Sequence, residues 1–336
     1  MTHPASKSPT PMALGPFDLE VPVGVGGMGQ VWRGRHRQQG IPVAIKVLTE
    51  GRLWRAPNLE AFQYEVRAMA GLHHRGVAVV FDHGLLPRPL AEASQGRLKA
   101  GQPYLVMEYA SGGTLEAFEG KPLPWSLCRA IAIELLDALA HAHARGVIHR
   151  DIKPGNVLLA GAGDLRPGLK LTDFGIARIF RGEDRSDREE VSVGTPQYMA
   201  PEQFEGRWQD QGPWTDLYAL GVVLWTLVTG KPPFEAPSVV ELAYHHMMTP
   251  LPRLETPTAK PSGLERWLRR LMAKDPRTRF QRAADAAARL MELPAPDIEV
   301  IQDLPGALAD MMARHSPAPA SNHHTHTLTS PTATTV

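Results

Sequence analysis

The sequence has almost no cysteine, no long apolar run and almost no net charge. Its single cysteine, Cys128, excludes an intrachain disulfide, which predicts a reducing compartment and a cytoplasmic location. The longest apolar window, Leu217 to Val228, contains polar residues and is too short to span a bilayer, so we expect no membrane anchor. The 36 basic and 35 acidic side chains leave a formal charge of +1, which gives no reason to expect a nucleic-acid partner.

The composition nevertheless allows a large core, since 43% of the residues are hydrophobic. Residues 1–13 are rich in Pro, Ser and Thr and are expected to be a flexible lead-in. Residues 14–110 have mostly strand-like patterns, and residues 111–293 have long helical ones. Residues 294–336 are expected to be a largely disordered tail. The predicted fold class is α+β, a small antiparallel β-rich lobe with one main helix followed by a larger, mainly helical lobe.

Apolar spacing also locates the individual helices. The helix of the first lobe is predicted between Pro57 and Gly71. Those of the second lobe are predicted at 126–145, 215–229, 239–248, 263–273 and 282–293. The segment 86–101 contains two prolines and two glycines, and we interpret it as a long surface loop. Such a loop is either a tolerated insertion or a docking site.

A glycine-rich run, Gly24-Val25-Gly26-Gly27-Met28-Gly29, stands near the start of the first lobe. Glycines at these spacings let the backbone fold closely over an anionic group, because a Cβ would block the approach. Dinucleotide-binding turns carry a similar pattern, but there the run opens a helix. Here Val31-Trp32-Arg33 continues as a strand. The pattern therefore favours a hairpin that covers a nucleotide.

Lys46 closes the apolar strand Val43-Ala44-Ile45-Lys46-Val47. An ammonium in such surroundings needs a partner because burial without one is costly. Glu65, on the following helix, is the candidate partner. The competing interpretation is an exposed lysine at the end of a strand.

Two short segments of the second lobe combine charged and amide side chains. His149-Arg150-Asp151-Ile152-Lys153-Pro154-Gly155-Asn156 follows a long helix, and Asp173 ends a predicted strand before Phe174-Gly175. Phosphoryl transfer to a hydroxyl needs a proton acceptor, a cation and metal ligands. Asp151, Lys153 and Asn156 match these needs in order. The oxygens of Asn156 and Asp173 suit Mg²⁺.

These motifs, together with Ala200-Pro201-Glu202, occur in the order that is typical of protein kinases. The chain resembles the eukaryotic-like Ser/Thr protein kinases of bacteria over roughly residues 17–290. The resemblance implies a two-lobed protein-kinase fold. It also implies ATP and Mg²⁺ as cofactors, with Mn²⁺ as an alternative metal, and transfer of the γ-phosphate to Ser/Thr hydroxyls of proteins.

The resemblance also implies a role for each matching position. Lys46, paired with Glu65, holds the α- and β-phosphates; Asp151 accepts the hydroxyl proton and Lys153 offsets charge on the γ-phosphoryl. Asn156 and Asp173 bind the metal. Met107 is the gatekeeper beside the adenine. The implied nucleotide-binding set further includes Val23, Gly24, Gly26, Gly27, Gly29, Val31, Ala44, Glu108 and Ala110, the last two through their backbone. Glu202 paired with Arg279, and Asp216, brace the large lobe and the catalytic loop.

Substrate choice and regulation rest on fewer positions. Lys153 and Thr195 match the Ser/Thr pattern rather than the tyrosine pattern. Arg150 before Asp151 resembles kinases whose activation loop is ordered by phosphorylation. The usual acceptor position holds Val191, so Ser192 or the nearby acidic residues are the hypothetical partners of Arg150. Autophosphorylation, with a transient homodimer as one route, is a further hypothesis.

Two other functions compete with an active protein kinase. A pseudokinase scaffold would keep the fold but lose the chemistry of Lys46, Asp151 or Asp173, and all three are present. A small-molecule phosphotransferase of related fold would share only part of the catalytic loop. Thr195 and the Ala-Pro-Glu segment argue against this last alternative.

Overall fold

The smaller lobe is built on an antiparallel sheet. The protein is described here by a computed structural model, covering residues 11–26, 29–49, 56–174, 196–294 and Leu308. The strands of the sheet are β1 (Met12–Leu14), β2 (Phe17–Gly26), β3 (Gly29–His36), β4 (Pro42–Leu48), β5 (Val80–Leu85) and β6 (Pro103–Glu108). The six lie in the order β1-β2-β3-β4-β6-β5, and every pair is antiparallel.

Strand β4 lies in the interior of this sheet and is buried on both faces. Every residue after Pro42 is buried, as expected of a run rich in Val and Ile. Val31 of β3 lies opposite Lys46, and Ala44 lies opposite Met107 of β6. The sheet thereby fixes Lys46 in apolar surroundings.

Helix α1 (Ala56–Ala70) packs beside the sheet. Its inward face carries Phe62, Val66 and Met69, which are all buried in the main core. The spacing of these residues by four and three positions is that of one helix face. Glu65 lies on the same helix and is also buried.

The segment 86–101 contains a short helix and packs on the sheet, so its interpretation as a long surface loop was wrong. Residues Arg88–Ala93 form helix α2, with a proline in its first turn, where the missing N–H costs nothing. Leu86, Leu90 and Leu98 are buried in a second apolar cluster with strands β1 to β4. The prolines and glycines therefore bound a short helix instead of an open loop.

The larger lobe consists mainly of helices around one central helix. They are α3 (Trp125–His143), α4 (Pro201–Phe204), α5 (Pro213–Thr229), α6 (Val239–Met248), α7 (Leu264–Leu271) and α8 (Ala283–Met291). Every residue of α5 from Thr215 to Val228 is buried, since α3, α7 and α8 all pack against it. Gly230 ends α5 with φ of 80°, a conformation that glycine adopts readily.

A short hairpin lies at the junction of the lobes. Strands β7 (Val157–Ala160) and β8 (Gly168–Leu171) pair antiparallel, and Leu171 also forms a bridge to Val77 in the segment after α1. The pairing holds the segment before β7 beside the residues that follow β8: the Thr172 N–H donates to the Asn156 carbonyl at 3.1 Å. The two motif-bearing segments of the larger lobe are thereby adjacent.

The two-lobed fold confirms the predicted fold class, and the predicted helices occur within a few residues of their expected bounds. The lead-in was predicted to extend to residue 13, but Met12 and Ala13 belong to β1, and Met12 is buried. Within the predicted tail, Leu308 is fully buried in the main core cluster. Among the described residues, no helix has the length and apolarity needed to cross a membrane.

Candidate active site

The glycine-rich run forms the tip of the β2–β3 hairpin. Gly24 lies opposite Val31, and Gly26 opposite Gly29. A Cβ on Gly29 would lie 2.1 Å from the carbonyl oxygen of Val47, so β3 can approach β4 this closely only with glycine. Around Gly24 and Gly26 the space is open. Gly27, the remaining predicted glycine, lies outside the described residues.

Lys46 forms an ion pair across the two lobes. Its Nζ lies 2.6 Å from Oδ2 of Asp173, which follows β8. The two side chains are only 11% and 15% exposed, so this pair is much less screened than a surface pair. The ion pair brings two of the predicted site residues together, although 127 positions separate them. The pairing of Lys46 with Glu65 stays a prediction.

The predicted catalytic side chains lie within hydrogen-bonding distance of one another. Lys153 Nζ is 2.9 Å from Oδ2 of Asp151. Asn156 Nδ2 donates to the Asp151 carbonyl at 2.7 Å and to Asp151 Oδ2 at 3.0 Å. The Lys153 ammonium and the Asn156 carboxamide thus hold the Asp151 carboxylate in place. Acceptor, cation and amide are therefore held together in one loop.

Buried polar groups hold this loop in place. Asp216 of α5 accepts from the backbone N–H groups of His149 at 2.8 Å and Arg150 at 2.7 Å, and from His143 Nε2 at 2.7 Å. Burial by itself raises the pKa of the Asp216 carboxyl, but the hydrogen bond from His143 and the neighbouring donors outweigh it, so its pKa is lowered. Asp216 is thus a buried anion that fixes the backbone before Asp151.

His149 links the loop to the strand end that carries Asp173. Its Nε2 donates to the Thr172 carbonyl at 2.8 Å, and its ring packs on Phe174 at 4.4 Å. Burial lowers the pKa of His149, which favours the neutral ring and leaves Nδ1 free to accept from the Asp151 N–H at 3.3 Å. The ring serves as a spacer between the two motif segments.

Two site residues have a left-handed backbone. Arg150 and Asp173 both have φ of 64°, although neither is glycine. This conformation costs free energy and persists only where surrounding contacts impose it, as at functional sites. The contacts of Asp216 with Arg150 and of Lys46 with Asp173 provide that constraint.

The side-chain oxygens of Asp173 and Asn156 are suitable ligands for a hard divalent metal ion. Asp173 Oδ1 is buried and has no hydrogen-bond partner among the described residues, while Oδ2 binds Lys46. The side-chain NH₂ group of Asn156 donates two hydrogen bonds to Asp151. Its Oδ1 is therefore the atom that could bind a metal. The described part of the chain contains no cluster of three or more His, Cys, Asp or Glu side chains that could bind a metal ion by itself. A metal here would therefore need further oxygens, from phosphate groups or water, to complete its shell.

The space between the two lobes, which we call the cleft, has an apolar wall on the side of the smaller lobe. Ala44 and Met107 are buried and face each other across β4 and β6, and Val31 packs against the same core cluster. The Thr172 hydroxyl contacts Met107 Sδ at 3.3 Å. Val23, also predicted to contact the nucleotide, is half exposed. The segment that follows β6 connects the two lobes. We refer to residues 108–111 as the hinge.

Sequence reasoning missed two residues that bind this hinge. Arg166 forms an ion pair with the buried carboxylate of Glu108, and Asp164 accepts from the backbone N–H of Ser111 at 2.8 Å. Both lie in the β7–β8 connection, more than 50 positions from their partners. Local spacing carries no signal for contacts at such separations.

The remaining predicted residues lie further from the cleft. Glu202 and Arg279 form a fully buried bidentate pair at 2.8 and 2.9 Å. The carbonyl of Arg150 accepts from Gln203 at 2.8 Å. Ser192 and Thr195 lie outside the described residues, so their roles stay predictions.

A β-rich lobe joined to a helical lobe, with a glycine hairpin, a lysine and carboxylates at the junction, is the arrangement that defines the protein-kinase-like fold. The protein kinase domain profile matches residues 17–291. The chain therefore belongs to the protein kinase family.

Several bacterial proteins are similar to the chain. Serine/threonine-protein kinase Pkn1 of Myxococcus xanthus is 37% identical over 268 residues, which are 79% of this chain and 36% of that protein. Serine/threonine-protein kinase PknB of Mycobacterium leprae is 34% identical over 281 residues, 82% of this chain and 43% of that protein. PknB of Mycobacterium tuberculosis is 35% identical over 286 residues, which are 82% of this chain and 42% of that protein. The chain thus matches less than half the length of each of these three relatives.

Proposed function

We propose that this chain is a Ser/Thr protein kinase that transfers the γ-phosphate of ATP to hydroxyl groups of proteins. The observation that carries the proposal is the ion pair of Lys46 with Asp173 across the lobes, beside the group formed by Asp151, Lys153 and Asn156. These are the acceptor, cations and oxygen ligands that phosphoryl transfer requires. The names of the relatives agree with this activity.

In the proposed reaction the substrate hydroxyl oxygen attacks the γ-phosphorus, and the bond from that phosphorus to the bridging oxygen of ADP breaks. Asp151 accepts the hydroxyl proton, and Lys153, 2.9 Å from it, offsets charge on the migrating phosphoryl group. Lys46 contacts the α- and β-phosphates, and the glycine hairpin covers them. The leaving ADP takes the electron pair of the broken bond.

Asn156 and Asp173 hold Mg²⁺ in this proposal. The buried, unpartnered Asp173 Oδ1 supports the assignment, and Mn²⁺ is the alternative ion. Bound metal neutralises phosphate charge. Adenine lies between Val31, Ala44 and Met107. Its amino group donates to the Glu108 carbonyl, since the Glu108 N–H already donates to Val79, and a ring nitrogen accepts from the Ala110 N–H. Serine and threonine as acceptors rest on Lys153 and on Thr195.

Regulation and location complete the proposal. Arg150 binds an anionic partner in the activation loop, with Ser192 as the phosphorylation candidate, and autophosphorylation proceeds in a transient homodimer. The single buried cysteine supports a reducing, cytoplasmic location.

A transfer assay with labelled ATP tests the function. The purified chain is incubated with Mg²⁺ and a generic basic protein, in parallel with Asp151→Asn, which keeps the size of the side chain and removes the proton acceptor. We expect label on serine and threonine with wild type, and a loss of about 10² to 10⁴-fold in the variant. Label on a small hydroxylated molecule alone would indicate the small-molecule phosphotransferase. ATP binding without any transfer would indicate a pseudokinase.

A further inference from the structure

The connection between β7 and β8 contacts the hinge from the helical lobe. Arg166 in this connection donates from Nε to Glu108 Oε1 at 3.2 Å, and its Nη2 contacts Glu108 Oε2. The Glu108 side chain is 1% exposed, and the Arg166 side chain 30%. A planar guanidinium that binds both oxygens of a buried carboxylate fixes its orientation as well as its charge.

A second side chain of the same connection binds the other end of the hinge. Asp164 Oδ2 accepts from the Ser111 backbone N–H at 2.8 Å and from the Ser111 hydroxyl at 2.9 Å. It also accepts from the Gly161 N–H at 2.7 Å within its own turn. Asp164 thus joins the end of the hinge to a turn that β7 and β8 hold in place.

Arg166 extends this network into the smaller lobe. Its Nη1 donates to the His74 carbonyl at 3.2 Å, and its Nη2 donates to the Val77 carbonyl at 2.7 Å. The Glu108 carboxylate in turn accepts from the Val79 N–H at 3.2 Å. One arginine therefore connects the hinge, the segment after α1 and the helical lobe.

We propose that Arg166 and Asp164 are positioning residues that hold the hinge backbone in the geometry that binds adenine. The inference rests on the proposed function. Glu108 and Ser111, which they bind, are the two ends of the hinge, and in that proposal Glu108 and Ala110 contact adenine through their backbone. A backbone that is fixed before the ligand arrives binds it with less loss of conformational entropy. Loss of this anchoring lowers affinity for the base and leaves the transfer step intact.

A purely structural role makes a different prediction. The buried Glu108 carboxylate needs a cation in any case, so removal of Arg166 destabilises the fold under either interpretation. Stability alone is therefore no test. A structural role lowers the amount of active enzyme, which reduces kcat, whereas a positioning role raises the KM for ATP and weakens the preference for adenine over other bases.

The test compares Arg166→Ala and Arg166→Lys with Arg269→Ala. Arg269 is a matched control, since it binds the Glu265 carboxylate and two backbone carbonyls, of Leu251 and Pro252, in the helical lobe. For each folded variant, kcat and KM are measured with ATP and with GTP, and adenosine affinity is measured by calorimetry. Arg166→Lys keeps the charge and serves if Arg166→Ala does not fold.

We expect Arg166→Ala to raise the KM for ATP and the Kd for adenosine about fivefold or more, the effect of roughly one hydrogen bond. Its kcat stays close to wild type, its preference for ATP over GTP falls, and Arg166→Lys is intermediate. Arg269→Ala changes none of these ratios. An Arg166→Ala or Arg166→Lys protein with wild-type adenosine affinity and KM overturns the inference. Wild type that binds neither adenosine nor ATP overturns the proposed function instead.

Discussion

At the scale of single residues, Asp173 combines an unusual backbone conformation with a buried, charged side chain. It has a left-handed backbone, its Oδ2 contacts Lys46 at 2.6 Å, and its buried Oδ1 has no partner in the described part of the chain. An unsatisfied buried oxygen costs free energy in the protein alone. A metal ion or phosphate-bound cation at Oδ1 would recover that cost, so nucleotide and metal binding are expected to depend on this one carboxylate.

Asp173→Asn should therefore weaken nucleotide binding in the presence of Mg²⁺ by about tenfold or more, because a neutral amide is a poorer ligand for a hard cation. Titration of an ATP analogue with and without Mg²⁺ measures the effect. Asp137→Asn is the control, since that carboxylate is exposed and pairs with His74. An Asp173→Asn protein with the same Mg²⁺ dependence as wild type contradicts the metal assignment.

Sequence reasoning reached the site residues that stand in short motifs, and it missed those that act through distant contacts. Asp151, Lys153 and Asn156 are close in sequence, so their spacing already predicts a common loop. The Lys46–Asp173 ion pair spans 127 positions and was not predicted, and the pairing of Lys46 with Glu65 stays a prediction. Arg166 stands in no motif, because its partner Glu108 is defined only by the packing of β6 beside the β7–β8 connection.

At the scale of elements, the Glu202–Arg279 pair joins α4 to the segment before α8. Both side chains are fully buried, and Glu202 also accepts from the Thr215 hydroxyl at 2.8 Å, which ties α5 to the pair. Arg279 donates to the carbonyls of Ala273 and Lys274 as well. With so many donors satisfied, removal of either partner leaves an uncompensated charge in the core.

Arg279→Leu should lower the free energy of unfolding by about 3–5 kcal/mol, because Glu202 stays behind as a buried unpaired charge. Denaturant unfolding measures the change. The double variant Arg279→Leu/Glu202→Gln should recover part of the loss, since it removes that charge. Arg289→Ala, which breaks an exposed pair with Glu292, should cost less than about 1 kcal/mol. No recovery in the double variant would show that lost packing, not charge, dominates.

The helices of the larger lobe were predictable because their apolar faces repeat over many residues, as in the stretch that became α3. The helix in segment 86–101 was not predictable, because α2 has only six residues. Fewer than two helical turns are too short to show a repeating apolar pattern. The stability of α2 comes from Leu86, Leu90 and Leu98 packing on the sheet, a tertiary effect that overrides local propensity. Strand β1 was missed for the same reason, since it has three residues.

At the scale of the whole molecule, the two lobes meet through polar contacts as well as through the core. The Lys46–Asp173 pair and the Arg166 network both cross the junction. The order of lobes along the chain was predictable from the change in pattern near residue 110. The contacts that hold the lobes at one angle were not, since each joins residues whose proximity arises only after both lobes have formed.

A buried histidine in the large lobe makes the stability of the molecule depend on pH. His246 of α6 is fully buried, and its Nδ1 forms a hydrogen bond of 2.9 Å with the Tyr218 hydroxyl. Burial, with nearby Lys274 adding to it, lowers the pKa of His246 from 6.5 to about 3. Between these two values the unfolded chain binds a proton on this ring and the folded chain does not.

The free energy of unfolding should therefore fall as the pH drops below about 6.5, by up to roughly 1.4 kcal/mol per pH unit from this group. His246→Asn removes the titration, and its carboxamide oxygen can still accept from Tyr218. Urea unfolding at intervals from pH 7.5 to 5 gives the slope for both proteins. We expect the variant to be less stable than wild type at pH 7.5 and to have a shallower slope below pH 6.5. Parallel slopes would mean that His246 is protonated in the folded protein, or that other groups control the acid sensitivity of this lobe.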